Sequence, residues 1–325
     1  MNIGFLYNID RFHRPLEIDG DSPKTIKYMI KYLQKYHHVF PIEANDKAYM
    51  KLFKLRSKLD LVFNYSIGVY GEDRYAHFPS ILELLRIPYT GSGPLTQVLV
   101  LSKSTMYKIL AYHNISTPKT YCFNSPNAVK KVATDFPLLV KPDAQGTSAG
   151  ITSESVVFNY EDLKKQVAMV NTIFHQPALV QPFINGRELT ISLLGNPPKV
   201  LPIIEINYDV IPKSRLHFMP DSWNTESYGE NFTICPAVLT LELKKELEKI
   251  ALDCFKALNI KDYCRIDVRL DQKNNIYVLD VNSPTALAPP EAEKNDLFPL
   301  SAKKNGLDYS DLLEKIIETA MARYK

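Results

Sequence analysis

Residues 264–270 are Cys-Arg-Ile-Asp-Val-Arg-Leu, and residues 276–282 are Ile-Tyr-Val-Leu-Asp-Val-Asn, with the polar segment 271–275 between them. Two apolar, β-branched runs around a short polar segment predict an antiparallel hairpin. Because side chains alternate between the faces of a strand, Arg265, Asp267 and Arg269 share one face of the first strand, and Asp280 and Asn282 likewise share one face of the second. The polar atoms of both strands are therefore expected on one surface of the hairpin.

The register of this hairpin predicts a cation site. A turn centred between Lys273 and Asn274 pairs Asp267 with Asp280 and Arg265 with Asn282. Directly opposed residues have Cβ atoms about 4.5–5.5 Å apart, so the two carboxylates repel unless a cation or a proton lies between them. Mg²⁺ is the natural cation, since it commonly takes one or two carboxylates beside nucleotide phosphates. A water-screened hairpin without a ligand is the alternative, and a slip in register would separate the carboxylates.

A glycine-containing loop, Lys141-Pro142-Asp143-Ala144-Gln145-Gly146-Thr147-Ser148-Ala149-Gly150, follows a predicted strand. Its small residues leave backbone N–H groups open to phosphate oxygens, behind a lysine at the strand end. The strings G-x-x-x-x-G-K-[ST] and G-x-G-x-x-G are absent, which argues against P-loop enzymes and Rossmann-cofactor enzymes. An ordinary turn is the alternative for this loop taken alone.

Composition describes an ordinary globular protein of two or three domains. The chain has 325 residues, of which 45% are hydrophobic and 23% charged. Lys plus Arg number 39 against 36 Asp plus Glu, a balance that does not supply the basic field of a general nucleic-acid binder. The four cysteines form no C-x-x-C pair, and neither a signal peptide nor a membrane-spanning stretch is evident. We therefore expect a cytoplasmic protein with no nucleic-acid or membrane partner.

Hydrophobic periodicity gives a coarse order of elements. Strands at 3–7, 39–42 and 61–63 alternate with helices that begin after Ser22-Pro23 and near residues 47 and 80, which predicts a parallel α/β unit. The Pro- and Gly-rich segment 87–94 marks its end. Further helices are expected at 102–113, after Ser125, from 160, at 240–258 and from 309. Asn185-Gly186 between strands 179–183 and 188–194 predicts a second hairpin.

Taken in order, these motifs resemble the ATP-grasp superfamily and, within it, the D-alanine–D-alanine ligases. The resemblance rests on the 141–150 loop, on Gln181-Pro182-Phe183-Ile184 with Glu188, and on Arg265-Ile266-Asp267 with Asp280-Val281-Asn282. It implies α/β and α+β architecture in a three-domain ATP-grasp fold. The implied domains are a Rossmann-like N-terminal domain (1–93), a central lobe with the phosphate lid (94–187), and a C-terminal lobe with the metal and catalytic residues (188–325).

The resemblance also implies a role for each matching residue. Lys103 and Lys141 would reach the phosphates of ATP, with Thr147 and Ser148 on the phosphate lid. Gln181, Phe183 and Ile184 would line the adenine pocket, and Glu188 would bind the ribose hydroxyls. The metal ligands, for two Mg²⁺ ions or for Mn²⁺, would be Asp267, Asp280 and Asn282. Arg265 would stabilise the oxyanion and, with Lys141, act in catalysis.

The chain departs from the family pattern in the amino-acid-binding segments. Asp280 stands where the family has Glu, and the segment from Ser283 to Pro290 replaces a Pro-Gly-Met-Thr run. The N-terminal loop lacks the Glu-x-x-Val-Ser run, and no Lys-Tyr pair is evident in 207–231; Glu17 and Tyr208 are candidate replacements, with an exposed loop acid and a packed aromatic as the alternatives.

The resemblance implies an ADP-forming ligase that makes a peptide bond through an acyl phosphate, with altered amino-acid or dipeptide substrates. An authentic D-alanine–D-alanine ligase of cell-wall synthesis is one alternative, and a noncatalytic ATP-binding regulatory protein is the other. A homodimer is compatible with the sequence.

Overall fold

The first part of the chain is a parallel α/β unit, as predicted. The computed structural model describes residues 1–10, 20–129, 132, 134–146, 148–210, 230–292 and 296–325. The strands of the first sheet run parallel in the order β2–β1–β3. Ser22 caps the first helix by accepting a hydrogen bond from the Thr25 backbone N–H, and Pro23 opens that helix. The elements are β1 (Asn2–Tyr7), α1 (Pro23–Leu33), β2 (His38–Glu43), α2 (Ala48–Leu55), β3 (Leu61–Tyr65) and α3 (His77–Leu84).

The central part forms an antiparallel sheet in the order β4–β7–β5–β6. Its elements are α4 (Pro94–Leu101), α5 (Lys103–Tyr112), β4 (Tyr121–Phe123), β5 (Leu138–Pro142), β6 (Val156–Val157), α6 (Tyr160–Phe174) and β7 (Ala178–Pro182). The sequence did not predict α4, which begins at a proline directly after Gly93. The helix predicted after Ser125 is a single 3₁₀ turn, Pro126–Ala128, which ends at Val129 because that residue is extended.

The last part contains the largest sheet, in the order β11–β10–β8–β12–β13, with β9 paired to β8. Its elements are β8 (Arg187–Leu194), β9 (Lys199–Val200), β10 (Ile204–Ile206), β11 (Thr233–Ile234), α7 (Leu241–Ala257), β12 (Tyr263–Leu270), β13 (Ile276–Asn282), α8 (Leu297–Lys304) and α9 (Tyr309–Ala322). Helix α8 was not predicted. The predicted domain limits stay a prediction; apart from Arg187, each sheet lies within one of the three predicted ranges.

The hairpin predicted around Asn185-Gly186 is wrong. Both sides of β7 are paired with β4 and β5, whereas β8 pairs with β10 and β12, so the two strands lie in different sheets. Gly186 serves a close approach instead of a tight turn, because a Cβ there would lie 1.9 Å from the Leu270 carbonyl oxygen. Residues 183–186 are therefore the connection between the two antiparallel sheets, and we call them the linker.

The register predicted for the hairpin of β12 and β13 is confirmed where the acidic residues lie. Asp267 pairs with Asp280, and Arg265 pairs with Asn282. The pairing shifts by one residue directly after Asp267, so that Val268 pairs with Val278 and Leu279 is extra. This β-bulge moves the centre of the turn from between Lys273 and Asn274 to Lys273, while the polar end keeps its pairs.

Helix α9 returns to the beginning of the chain. Its apolar residues, among them Leu312, Leu313 and Ile316, share one core with Phe5 of β1 and Met29 of α1. Within the described ranges, none of the helices combines the length and hydrophobicity that crossing a bilayer requires.

A buried ion pair fixes the end of α9. The Asp262 carboxylate is fully buried and accepts hydrogen bonds from Arg323 Nε at 2.9 Å and Nη2 at 2.7 Å. The same carboxylate also accepts from the Gly91 N–H and from Asn196. It therefore joins α9, the segment before α4 and the loop before β9.

Replacing Arg323 by Met is expected to lower the free energy of unfolding by about 3 kcal/mol, because Asp262 keeps a buried charge without its cation. Urea titration of the full chain measures the change. The matched control is Lys249→Met, which removes an exposed ion pair with Asp253 and should change the free energy by less than about 0.5 kcal/mol. Equal effects of the two substitutions would contradict the structural role of Asp262.

Candidate active site

A cleft between the two antiparallel sheets brings most of the predicted site residues together. It encloses about 1080 Å³, including solvent at its open side. Nine of the residues singled out from the sequence line it: Lys103, Lys141, Ser148, Gln181, Phe183, Ile184, Glu188, Asp267 and Asp280. Arg265 and Asn282 do not line the cleft but contact Asp267, and Thr147 lies outside the described residues.

Asp267 is held by hydrogen bonds on both oxygens. Oδ1 accepts from Thr190 Oγ1 at 2.6 Å and from Arg265 Nε at 3.1 Å. Oδ2 accepts from Arg265 Nη2 at 3.1 Å and from Asn282 Nδ2 at 2.8 Å. The neighbouring Asp267 carboxylate raises the pKa of the Arg265 guanidinium although burial acts in the opposite direction. The arginine is therefore a permanent charge behind the carboxylate.

Asp280 is the more open of the paired carboxylates. Its side chain is 26% exposed, and Oδ2 lies 3.3 Å from Lys103 Nζ. Oδ1 accepts a hydrogen bond from the Val281 backbone N–H. Asp267 and Asp280 thus each have a cationic partner, which offsets the repulsion expected from their register.

Asp143 brings the two lysines to the same wall of the cleft. Its carboxylate accepts from the backbone N–H of Ser104 at 2.7 Å and from the hydroxyls of Ser102 and Ser104, so the end of β5 is fixed to the start of α5. Lys103 Nζ then donates to the Gln145 carbonyl oxygen at 2.8 Å. No role for Asp143 was predicted from the sequence.

Lys141 is buried, and its Nζ donates to the Tyr107 hydroxyl at 3.1 Å. That hydroxyl in turn donates to the Leu279 carbonyl oxygen at 2.6 Å, at the residue left extra by the bulge. Burial lowers the pKa of the Lys141 ammonium, and the charges of Asp280, Asp143 and Glu188 counteract this only in part. The group is a cation kept in the cleft against a desolvation cost.

The remaining walls suit a flat apolar group and an anionic tail. Phe183, Ile184, Ile206 and Leu279 form an apolar part of the cleft, whereas the two lysines, Gln145 and Ser148 form a polar part. Gly150 allows the loop to pack closely, because its φ is +79° and a Cβ would lie 2.7 Å from Pro142. Such a division fits a nucleotide, with the base at one end and phosphates at the other.

Comparison with known proteins places the chain in a family. The family model described as "D-ala D-ala ligase C-terminus" matches residues 106–318. The chain belongs to the D-alanine–D-alanine ligase family. The D-alanine–D-alanine ligase of Carboxydothermus hydrogenoformans is 33% identical over 296 residues, which are 88% of each protein. D-alanine–D-alanine ligase A of Bacillus cereus is 31% identical over 308 residues, which are 92% of this chain and 93% of that protein.

A solved structure of a family member matches over nearly the whole chain. The crystal structure of the Bacillus anthracis D-alanine–D-alanine ligase complexed with ATP has a TM-score of 0.73 and 26% sequence identity, and the match covers 99% of this chain and 98% of that one. The predicted ATP-grasp fold is thereby confirmed.

The segment that departs from the family pattern is built around buried polar groups. Asp296, beside the start of α8, is 6% exposed and accepts a hydrogen bond from the Ala288 N–H at 2.6 Å. The Leu287 backbone bonds to the hydroxyls of Tyr65 and Tyr309. Burial raises the pKa of Asp296, although the Ala288 N–H and Arg265 act against the rise. Glu17 and the missing Glu-x-x-Val-Ser run fall outside the described residues, as does most of 207–231.

Besides Asp143, sequence reasoning missed the roles of three further residues of the site. Tyr107 is four residues after Lys103, which places both on one face of α5; that spacing was the available signal. Arg269 was placed on the polar face of β12 but given no role. Tyr208 was considered for a missing amino-acid contact, whereas its hydroxyl bonds to Glu188 in the cleft.

Replacing Lys141 by Met is expected to raise the free energy of unfolding at pH 7 while weakening ATP binding on the order of tenfold or more. The lowered pKa means that the unfolded chain binds the lysine proton more tightly, so the charge opposes folding. The gain should be complete below the lowered pKa and disappear as the pH rises towards 10.5, the ordinary value.

Urea titrations between neutral and alkaline pH, with calorimetric titration of ATP, measure both effects. The matched control is Lys108→Met on the exposed side of α5, for which neither quantity should change appreciably. A Lys141 variant that is less stable and binds ATP normally would contradict the assignment.

Proposed function

We propose that this family member is an ATP-dependent, ADP-forming ligase that joins a carboxylate to an amine through an acyl phosphate. The observation that carries the proposal is the convergence of Asp267 and Asp280 with Lys103 and Lys141 on one cleft. Support comes from the relatives named D-alanine–D-alanine ligase and from the structural neighbour complexed with ATP. In the first step a carboxylate oxygen of the substrate bonds to the γ-phosphorus and ADP leaves. In the second, the amine nitrogen bonds to the acyl carbon and phosphate leaves.

Asp267, Asp280 and Asn282 are the residues that would hold Mg²⁺. Two carboxylates and an amide are the hard oxygen donors that this ion prefers. No cluster of three or more His, Cys, Asp and Glu side chains suited to a metal occurs among the residues that the structure describes, so the nucleotide phosphates complete the proposed donor set. Asn282 points its amide N–H to Asp267, and it needs the opposite amide orientation to offer oxygen. Bound Mg²⁺ supplies charge neutralisation at the transferred phosphoryl group.

The chain's own cations supply the remaining charge stabilisation. Lys103 and Lys141 are placed to neutralise phosphate oxygens, and Ser148 belongs to the loop that would cover them. Arg265, fixed by Asp267 behind the carboxylate pair, is the proposed donor to the oxyanion of the tetrahedral intermediate. Phe183, Ile184 and Gln181 would contact adenine, and Glu188 the ribose.

We propose that the substrates are small amino acids or dipeptides other than the D-alanine pair. The support is the construction of the segment after Asn282, where Asp296, Tyr65 and Tyr309 hold the backbone at 287–288. The buried Asp296 carboxyl group also interacts electrostatically with Arg265, the proposed oxyanion donor. Formation of D-alanyl-D-alanine as the preferred product would instead establish an authentic D-alanine–D-alanine ligase.

The full chain, incubated with Mg-ATP and pooled D- and L-amino acids, is expected to release ADP in an amino-acid-dependent manner. Asp280→Asn should reduce the rate on the order of 100-fold, because half of the carboxylate pair is lost. Asp280→Glu keeps the charge and should retain or increase the rate.

A coupled assay for ADP and mass spectrometry of the products measure these outcomes. Asp253→Asn, an exposed acid on α7, is the matched control and should leave the rate unchanged. If the protein binds ATP but no amino acid stimulates the release of ADP, the noncatalytic nucleotide-binding alternative is indicated and the proposed ligase activity is refuted.

A further inference from the structure

Arg269 is a buried arginine in the wall of the cleft, and its partners include the cleft residues Glu188 and Ile184. It lies on β12 directly opposite Glu188 on β8 and is 4% exposed. Its Nε and Nη2 donate to Glu188 Oε2 at 2.9 and 2.7 Å, and Nη2 also donates to the Tyr208 hydroxyl at 2.7 Å. The negative charge of Glu188 and the Tyr208 hydroxyl outweigh the desolvation of the guanidinium, so its pKa is raised and it stays charged.

The bonds to Glu188 converge on one carboxylate oxygen. Oε2 accepts twice from Arg269 and once from the Tyr208 hydroxyl at 2.5 Å. Among the described residues, Oε1 has no protein hydrogen-bond partner, and the side chain is 20% exposed at the cleft. A carboxylate held in this way presents one oxygen in a fixed direction as an acceptor for a ligand hydroxyl.

Arg269 also fixes the linker between the two sheets. Its Nη1 donates to the Ile184 carbonyl oxygen at 2.8 Å, and its guanidinium lies 5.2 Å from the centre of the Phe183 ring. One planar group thus positions the apolar wall of the cleft and the Glu188 carboxylate together. A lysine has no comparable fork of donors and holds only part of this set.

We infer that Arg269, assisted by Tyr208, is a positioning residue that orients Glu188 Oε1 towards the ribose of the nucleotide and thereby sets the preference for a ribonucleotide. The inference rests on the proposed binding of ATP in this cleft. The inference goes beyond ATP binding, because the preference for ribose then depends on two residues that do not themselves contact the sugar hydroxyls.

The test compares the affinities of ATP and 2′,3′-dideoxy-ATP for the full chain, by calorimetric titration with Mg²⁺ and without amino acids. The unsubstituted protein is expected to prefer ATP roughly tenfold or more, the equivalent of one hydrogen bond to a charged group. In Arg269→Lys and Arg269→Met that ratio should fall towards one, because ATP loses the oriented acceptor while the dideoxy nucleotide never used it. Tyr208→Phe should also lower the ratio, by a smaller factor. This variant replaces the Arg269 variants as the test if those do not fold.

The matched control is Arg187→Lys. Arg187 is the residue before Glu188 on β8 and does not line the cleft. It donates two hydrogen bonds of 2.7 Å to the Glu205 carboxylate on β10. Loss of that pair should leave the ratio unchanged, since a general loosening of β8 weakens both nucleotides alike. The inference is overturned if folded Arg269 and Tyr208 variants keep the ratio of ATP affinity to dideoxy-ATP affinity of the unsubstituted protein. It is also overturned if the unsubstituted protein binds ATP but has a ratio near one. Absence of ATP binding by the unsubstituted protein would refute the proposed function instead.

Discussion

Repulsion between two carboxylates, Asp267 and Asp280, is the constraint around which the cleft is organised. Their strands hold them opposite each other, so each needs a positive partner in a site from which water is partly excluded. Arg265 pairs with Asp267 on the same strand, and Lys103, the first residue of helix α5, pairs with Asp280. The two carboxylates therefore depend on cations from two different elements, β12 and α5.

Strand β12 is the element that holds this arrangement in register. Ile266, Val268 and Leu270 are fully buried in an apolar core, while Asp267 and Arg269, on the opposite face of the strand, line the cleft. A slip of one residue would place the charged side chains in the apolar core and the apolar side chains in the cleft, which makes the pairing with β8 strongly specified. The same alternation places Arg269 opposite Glu188, two pairs along from Asp267 and its partner Thr190. One buried strand thus fixes both ends of the cleft.

The features that could be predicted from the sequence are those decided by residues close together in the chain. Ser22-Pro23 and the paired aspartates depend on residues close in the chain, and the pattern around each was sufficient. The linker, which contains Asn185-Gly186, was wrongly predicted to be a hairpin turn. A turn dipeptide indicates a hairpin only when the two flanking strands are free to pair with each other. Here both sides of β7 are already paired with strands remote in sequence. Helices α4 and α8 begin beside Pro94 and Asp296 in segments rich in loop-forming residues, and their existence depends on packing. Arg269 carried no signal of its role, since its partners come from three separate segments.

The packing of α9 against β1 and α1 has a consequence for biosynthesis. The ribosome delivers β1 and α1 long before the residues that cover their shared apolar side, such as Leu312 and Ile316. One of the two apolar cores of the first sheet therefore stays incomplete until α9 has been made. The uncovered apolar side is a place for aggregation during that interval, so this topology favours chaperone binding during synthesis.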